Sequence, residues 1–329
     1  MSTRSDSLRK RLIHILADGG LYSGADLARR LNVSRTAIWK HIRHMRTCGL
    51  VIESARGRGY QLRQTVGLLQ AKTIRSLLSP AVSGRVSSLQ VLFETTSTND
   101  VLSENYGRAS LHGHVLLAEY QSQGRGRRGN DWISPLAGSI NMSLGWHYDM
   151  PPQHPGCLSL AIAVGVMRVF GQHGIAGAGL KWPNDIFANG RKLGGILVEM
   201  RGENAGPVDV IVGIGININS AAAIRLADDE VTDIQALTGR PPSRNRLAAS
   251  LINELVMMLE RYPELEIGSL LQEWRGYDCA RGRKATIRLP DRTCSGQVIG
   301  VDDHGLLQMR IDNELQTFTS GQISFTVQN

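Results

Sequence analysis

A chain of 329 residues is long enough for two or three domains, each with its own core. Its 42% hydrophobic and 20% charged residues argue against a disordered chain, and no apolar run approaches the roughly 20 residues that span a bilayer. The formal excess of +8 lies wholly in the first fifth: residues 1–66 hold 13 Lys and Arg against 4 Asp and Glu, and the remainder holds 24 against 25.

A domain-sized basic excess points to a polyanion, because neutralising phosphates releases counterions; the alternative is an idle solvated face. The start, MSTRSDSLRKR, lacks the apolar stretch and cleavage site of a secretory signal. Cys48, Cys157, Cys279 and Cys294 are scattered, without a CxxC pair or a His at metal-ligand spacing. Reduced thiols and a cytoplasmic location are expected.

Leu8, Leu12, Ile15 and Leu16 recur at helical spacing until Asp18-Gly19-Gly20 ends the run. Ser23 to Asp26 resembles a capping box opening a second helix through Leu27 and Leu31, and Asn32 breaks it. Ser34 caps a third helix, Arg35 to Arg46, with Ile38, Ile42 and Met45 on its apolar face. Ser34, Arg35, Thr36, Lys40 and Arg43 then form the surface offered to a major groove, while Trp39 could pack or contact DNA, of which packing is expected. Val51–Ser54 and Tyr60–Leu62 read as strands around Arg56-Gly57-Arg58-Gly59, a basic hairpin able to act as a wing. The order resembles a winged helix-turn-helix that binds DNA; a three-helix interaction module shares the periodicity. Thr65–Leu69 marks the boundary.

Beyond it come strands at Gln90–Thr95, His114–Tyr120, Ser139–His147, Gly195–Met200 and Val208–Asn219, a helix at Leu158–Phe170, and a hairpin signal at Asn189-Gly190. A mixed, mostly antiparallel sheet with helices on one face is expected, making the whole α+β. Gln121 to Gly129 follows a strand directly, and its alternating Gly124, Arg125, Gly126, Arg127 and Arg128 suit a phosphate chain. It has no Gly-Lys-Ser/Thr ending, so it is not a Walker A loop; an RGG-like patch or a solvated loop are the alternatives. Lys181-Trp182-Pro183-Asn184-Asp185 fixes a compact positive charge at a strand end, where a carboxylate could meet a phosphate, or is an ordinary turn. Val210–Asn219 carries glycines inside a buried strand, which mark close approach of a ligand or another strand; no helix follows, so a Rossmann reading fails. After a helix ending near Leu270–Trp274, short segments at Ala285–Leu289, Gly296–Val301, Leu306–Ile311 and Gln316–Phe318 suggest a small barrel.

In this order, Ser97-Thr98-Asn99, Gln121 with GRGRRG, KWPND, Arg191–Glu199 and the GIGIN strand resemble the biotin–protein ligases. The leading winged helix makes the likeness one to the bacterial ligases that double as biotin-operon repressors. That resemblance implies a catalytic domain akin to class II aminoacyl-tRNA synthetases and lipoate ligases, with an SH3-like C-terminal barrel. The implied division is 1–66, 67–275 and 276–329.

The resemblance also implies that biotin's carboxylate attacks MgATP to give biotinyl-5′-adenylate. A lysine of the biotin carboxyl carrier protein of acetyl-CoA carboxylase then displaces AMP. Ser97, Thr98, Asn99 and Gln121 would contact biotin; Gly124, Arg125, Gly126, Arg127 and Arg128 would close over carboxylate and phosphates; Lys181 would neutralise the meeting anions. Catalysis falls to Arg127 and Lys181, and no metal ligands are assigned. The adenylate-bound chain would be a homodimer on operator DNA, with no membrane partner. Two departures stand out: Ser220–Gly239 holds no aromatic residue, and Ile133 follows Trp132 where Phe is familiar. A lipoate ligase shares the chemistry, and a purely regulatory ligand sensor would keep only the winged helix.

Overall fold

The computed structural model describes residues 4–55, 58–64, 66–104, 106, 111–202, 206–220, 224 and 231–325. Helices α1 (Arg4–Leu16), α2 (Gly24–Leu31) and α3 (Arg35–Thr47) lead, followed by the antiparallel pair β1 (Ile52–Ala55) and β2 (Gly59–Leu62). Their ends are set locally. Ser23 Oγ accepts from Asp26 N at 3.0 Å, Asn32 takes the left-handed conformation at φ 54°, and Ser34 Oγ accepts from Ala37 N at 3.1 Å. Each such cap is worth about 1 kcal/mol. Leu12, Ile13, Leu16, Leu27, Ile38, Ile42 and Met45 form the buried centre.

That centre does not stop at residue 66. Leu68 continues it, as do Phe93, Leu136 and Ala137 of the next domain. Polar contacts fasten the same seam. Glu94 Oε2 accepts from Arg9 Nη1 at 3.0 Å and lies 2.9 Å from His44 Nε2, and Leu136 N donates to the Cys48 carbonyl at 2.7 Å. Gly49, at φ +96°, lies so close to Pro135 that a Cβ would approach its ring to 2.8 Å.

The central domain contains α4 (Ala71–Ser76), α5 (Pro80–Ser83), β3 (Ser88–Thr95), α6 (Thr98–Ser103), β4 (His114–Gln121), β5 (Ser139–Tyr148), α7 (Leu158–Gln172), β6 (Ala178–Lys181), β7 (Asp185–Ala188), β8 (Arg191–Gly202), β9 (Val208–Asn217), α8 (Ile234–Thr238), α9 (Arg244–Arg261) and α10 (Ile267–Tyr277). Seven strands lie in the order β3-β4-β5-β9-β8-β7-β6; only β3 and β4 are parallel, as the crossover through α6 requires.

Alternation along the strands sorts the two faces. Val115, Leu117, Val210 and Val212 face α7, α9 and α10, whereas Leu116 and Ile211 pack under Leu102 of α6. The expectation of helices on one face is thus corrected: α6, too short to announce itself by periodicity, covers part of the other. The long helix α7 is enclosed by the sheet, α9 and α10, which is why it is apolar over most of its surface, while the exposed Arg168 pairs with Glu254 and Glu273. A buried pair, Arg244 Nη1 to Glu119 Oε2 at 2.7 Å, ties the start of α9 to β4, and Arg244 also bonds the carbonyls of Gly67 and Ser139.

At the C-terminal end β10 (Lys284–Arg288), β11 (Thr293–Val301), β12 (Leu307–Ile311), β13 (Glu314–Phe318) and β14 (Gln322–Phe325) form an antiparallel sheet in the order β13-β12-β11-β10-β14. A bulge between Val298 and Gly300 bends β11. Trp182 Nε1 donates to the Gly305 carbonyl at 3.0 Å, seating this sheet against the turn between β6 and β7.

Candidate active site and DNA-reading face

The α6 face of the large sheet frames a cavity of about 710 Å³. Ser97, Thr98, Asn99, Gln121, Arg125, Gly126, Arg127, Arg128 and Lys181 all line it. The sequence spreads these over 85 positions; the parallel β3–α6–β4 crossover and the β6–β7 hairpin bring them together.

One end is a buried relay of neutral groups. Thr98 donates to Gln121 Oε1 through its amide at 2.7 Å and its hydroxyl at 3.0 Å. Ser143 Oγ donates to Asn99 Oδ1 at 2.6 Å and lies 2.7 Å from Thr98 Oγ1. Asn99 Nδ2 in turn donates to Glu199 Oε2 at 2.7 Å. Ser97 is spent partly on structure, since its Oγ caps α6 by accepting from Asp100 N at 3.4 Å. Room for the relay comes from the glycine strand. A Cβ on Gly213 would stand 2.4 Å from Asn99 Oδ1, and one on Gly215 would stand 2.3 Å from the Trp132 indole, whose Nε1 donates to Asn141 Oδ1 at 3.0 Å.

The other end is cationic, and its three arginines diverge. Arg125 reaches Asp100 at 2.5 Å and Glu199 at 3.1 Å. Although burial opposes it, these two carboxylates hold its guanidinium pKa above the ordinary value. Arg128 lies in the left-handed region at φ 56° and donates to the Arg288 carbonyl at 3.2 Å. Arg127 is half-buried and donates to Asn184 Oδ1 at 3.4 Å; among the described residues no carboxylate stands within 4.0 Å of it. Burial, then the charge of Arg128, pushes its pKa down against a smaller pull from Asp185. Gly124 is not a lining residue. Its place is a close approach, where a Cβ would meet the Trp132 carbonyl at 2.4 Å.

Lys181 is buried, with Nζ donating to the Ile323 carbonyl at 3.0 Å and Asp185 Oδ2 at 4.0 Å. Asp185 itself pairs more closely with Lys192, at 2.9 Å. Sequence reasoning missed Trp132 and Lys192 as cavity groups, Ser143 and Glu199 bonded behind the lining, and the approach of Arg288 and Ile323 from the C-terminal sheet. A polar residue inside the apolar strand β5 was the signal for Ser143. The others depend on which strands become neighbours.

On α3, Ser34, Arg35, Thr36, Lys40 and Arg43 are all exposed, as is Arg58 at the hairpin tip; Arg56 lies outside the described residues. Ser34 also serves as the helix cap. The expected packing of Trp39 is corrected: its side chain is 49% exposed beside Lys40, with the Arg43 guanidinium 5.5 Å from the indole centroid. Ile38 and Ile42 already fill the inward face, leaving no room there for an indole.

Comparison with known proteins agrees with this layout. Residues 92–217 match the biotin/lipoate A/B protein ligase family, residues 8–61 an HTH domain, and residues 282–326 the biotin protein ligase C terminal domain. The chain is 35% identical to the bifunctional ligase/repressor BirA of Salmonella typhimurium, over 95% of this chain and 96% of that protein. It is 33% identical to the protein of the same name from Escherichia coli, over 98% of each. The biotin protein ligase from Aquifex aeolicus in complex with biotin and ATP shares the fold, with a TM-score of 0.62 at 23% identity, covering 73% of this chain and 99% of that one.

Proposed function

The chain belongs to the family of bifunctional biotin ligases and repressors, and from that premise we propose how its side chains divide the work. It is a biotin–protein ligase that uses biotin and ATP, and its helix-turn-helix domain makes it a DNA-binding repressor. Three units carry these tasks: residues 1–66 bind DNA, 67–275 hold the reaction, and 276–329 close the cavity.

One observation supports the assignment of roles: a single cavity joins a buried hydroxyl and amide relay to a cationic end. Thr98, Asn99 and Gln121 offer donors and acceptors matched to a cyclic urea such as biotin's, with Ser143 bonded to Thr98 and Asn99 from behind and Ser97 bordering them. Arg127 and Lys181 face the point where biotin's carboxylate oxygen bonds to the α-phosphorus while the bond to pyrophosphate breaks. Two anions approaching each other repel, and fixed cations lower that barrier without reorganising. Arg125 acts differently from expectation. With its charge cancelled by Asp100 and Glu199, it orients Glu199 and so fixes Asn99.

Magnesium enters as part of the substrate MgATP. No residue of this chain is assigned to hold it: Asp100, Glu199 and Asp185 are each paired with a cation. The acceptor amine, a lysine of the carrier protein of acetyl-CoA carboxylase, then attacks the acyl carbonyl and AMP leaves. The adenylate also serves as corepressor: it stabilises a homodimer whose two winged helices meet a palindromic operator in the cytoplasm.

Pyrophosphate release from ATP, measured with biotin and separately with lipoate, tests the chemistry. Release with biotin alone is expected, and release with lipoate alone overturns the assignment. Sedimentation with and without biotin plus ATP tests the corepressor; an unchanged association constant excludes it.

A further inference from the structure

Cys48 closes α3, and His44 precedes it by four residues, so both side chains lie on one face of that helix. The sequence reading that no His stands at metal-ligand spacing from a cysteine is thereby corrected. A third group arrives from the other side of the seam, on β3. His44 Nε2 lies 2.9 Å from Glu94 Oε2 and 3.5 Å from Cys48 Sγ, and the three ligand atoms all fall within 4.8 Å of one another. Cys48 is buried, whereas the side chains of His44 and Glu94 are 32% and 28% exposed, so a small ion can reach the cluster from their side.

The donor set decides which ion. Imidazole, thiolate and carboxylate together suit zinc and its neighbours, not the all-oxygen shells of magnesium or calcium. Zinc bonds of about 2.0–2.3 Å at tetrahedral angles set neighbouring ligand atoms about 3.3–3.6 Å apart. The His44–Cys48 edge already fits, and the His44–Glu94 edge has only to open slightly. The charge balances as well. The thiol proton leaves to solvent, and a divalent ion with one thiolate and one carboxylate is neutral. Arg9 of α1 donates to the same Glu94 oxygen at 3.0 Å and is the cation the ion must displace. Its hold is imperfect: Nε is buried with no hydrogen-bond partner among the described residues, and Asp6 stands by at 3.4 Å as a second carboxylate. His41 on the same helix and Tyr120 of β4 complete the surroundings.

We propose that His44, Cys48 and Glu94 form a binding site for a divalent ion of the zinc class, with water as the fourth ligand. The ion pins the trailing end of the DNA-reading helix to the catalytic domain. Three protein ligands beside a displaced arginine make the affinity moderate, below that of a closed four-ligand structural site.

The test uses the full chain without a histidine tag, stripped of metal by a chelator and titrated with Co2+, whose bond to a thiolate gives a strong sulfur-to-metal absorption band. One Co2+ per chain, the thiolate band and its loss on adding Zn2+ are expected, and Zn2+ should raise the melting temperature. C48S should abolish the band, and H44Q and E94Q should each weaken Zn2+ binding at least about tenfold by calorimetry, with pyrophosphate release unchanged. A native chain that shows no band at saturating Co2+ overturns the proposal. So does a band that survives C48S, which would place the ion on Cys157, Cys279 or Cys294. Should C48S fold poorly, H44Q decides, since its site is partly exposed: unaltered Zn2+ affinity in H44Q overturns the site.

Discussion

Arg127 is a half-buried cavity cation with no carboxylate within 4.0 Å of it among the described residues. Its pKa is lowered, by burial and then by the charge of Arg128, so an anion brought from outside would complete its environment. Arg127→Ala should therefore leave the melting temperature nearly unchanged, slow adenylate formation about a hundredfold, and speed loss of bound adenylate. Normal retention in a filter assay would remove Arg127 from the reaction. Residues of this kind were legible because one contiguous motif, GRGRRG, supplied them. Glu199 was not. It stands at the end of a quoted motif, but its bonds to Asn99 and Arg125 exist only because β8, α6 and the glycine-arginine loop converge. The sequence also could not tell the three arginines apart, since their partners Asp100, Asn184 and Arg288 lie on three different segments.

Among elements, β9 shows how a strand can be shaped by what lies over it. Its glycines are gaps for Asn99 and Trp132, which explains why the fingerprint-like GIGIN continues as strand. Gly213→Ala should push Asn99 off Glu199 and Ser143 and weaken biotin binding about tenfold or more, as calorimetry would register; unaltered affinity would mean the relay is not used. Helix α3 makes the complementary case. Its ends and apolar face were readable because caps and i, i+4 spacing are local, whereas the fate of Trp39 depended on how much space three neighbouring helices leave. Since Trp39 is half exposed, Trp39→Ala should change folding stability by no more than about 0.5 kcal/mol. Operator affinity should fall about tenfold by fluorescence anisotropy, with adenylation untouched. Equal operator affinity would assign Trp39 to some other surface.

At the scale of the whole molecule, the charge boundary read from the sequence near residue 66 is sharp, but the packing boundary is not. Phe93 and Leu136 are buried against the winged helix, so removing residues 1–66 exposes them at a cost of about 1.5–3 kcal/mol each. The truncated chain should lose DNA binding and melt at a lower temperature while still forming adenylate. The intact chain's DNA affinity should drop at least about a hundredfold between about 50 and 200 mM salt. DNA binding that persists after truncation would refute the assignment of that task to the basic domain. Composition could locate the polyanion-binding unit but not the apolar seam, because the seam's partners, Phe93 and Leu136, belong to strand and loop runs that read as ordinary core. The seam has a mechanical side as well. The chain leaving the cavity at Trp132 reaches Pro135 and Leu136 within four residues, and there it grips Cys48 and Gly49, at the trailing end of α3. A helix of 13 residues is a rod about 20 Å long, at about 1.5 Å per residue. Held by that end and rocked through about 10°, its leading tip at Ser34–Thr36 sweeps about 3.5 Å, roughly the rise of one base pair along a strand. If the cavity wall shifts when a ligand fills it, it would act as the short arm of a lever, and a shift of under an ångström there would become a whole step of register on the DNA.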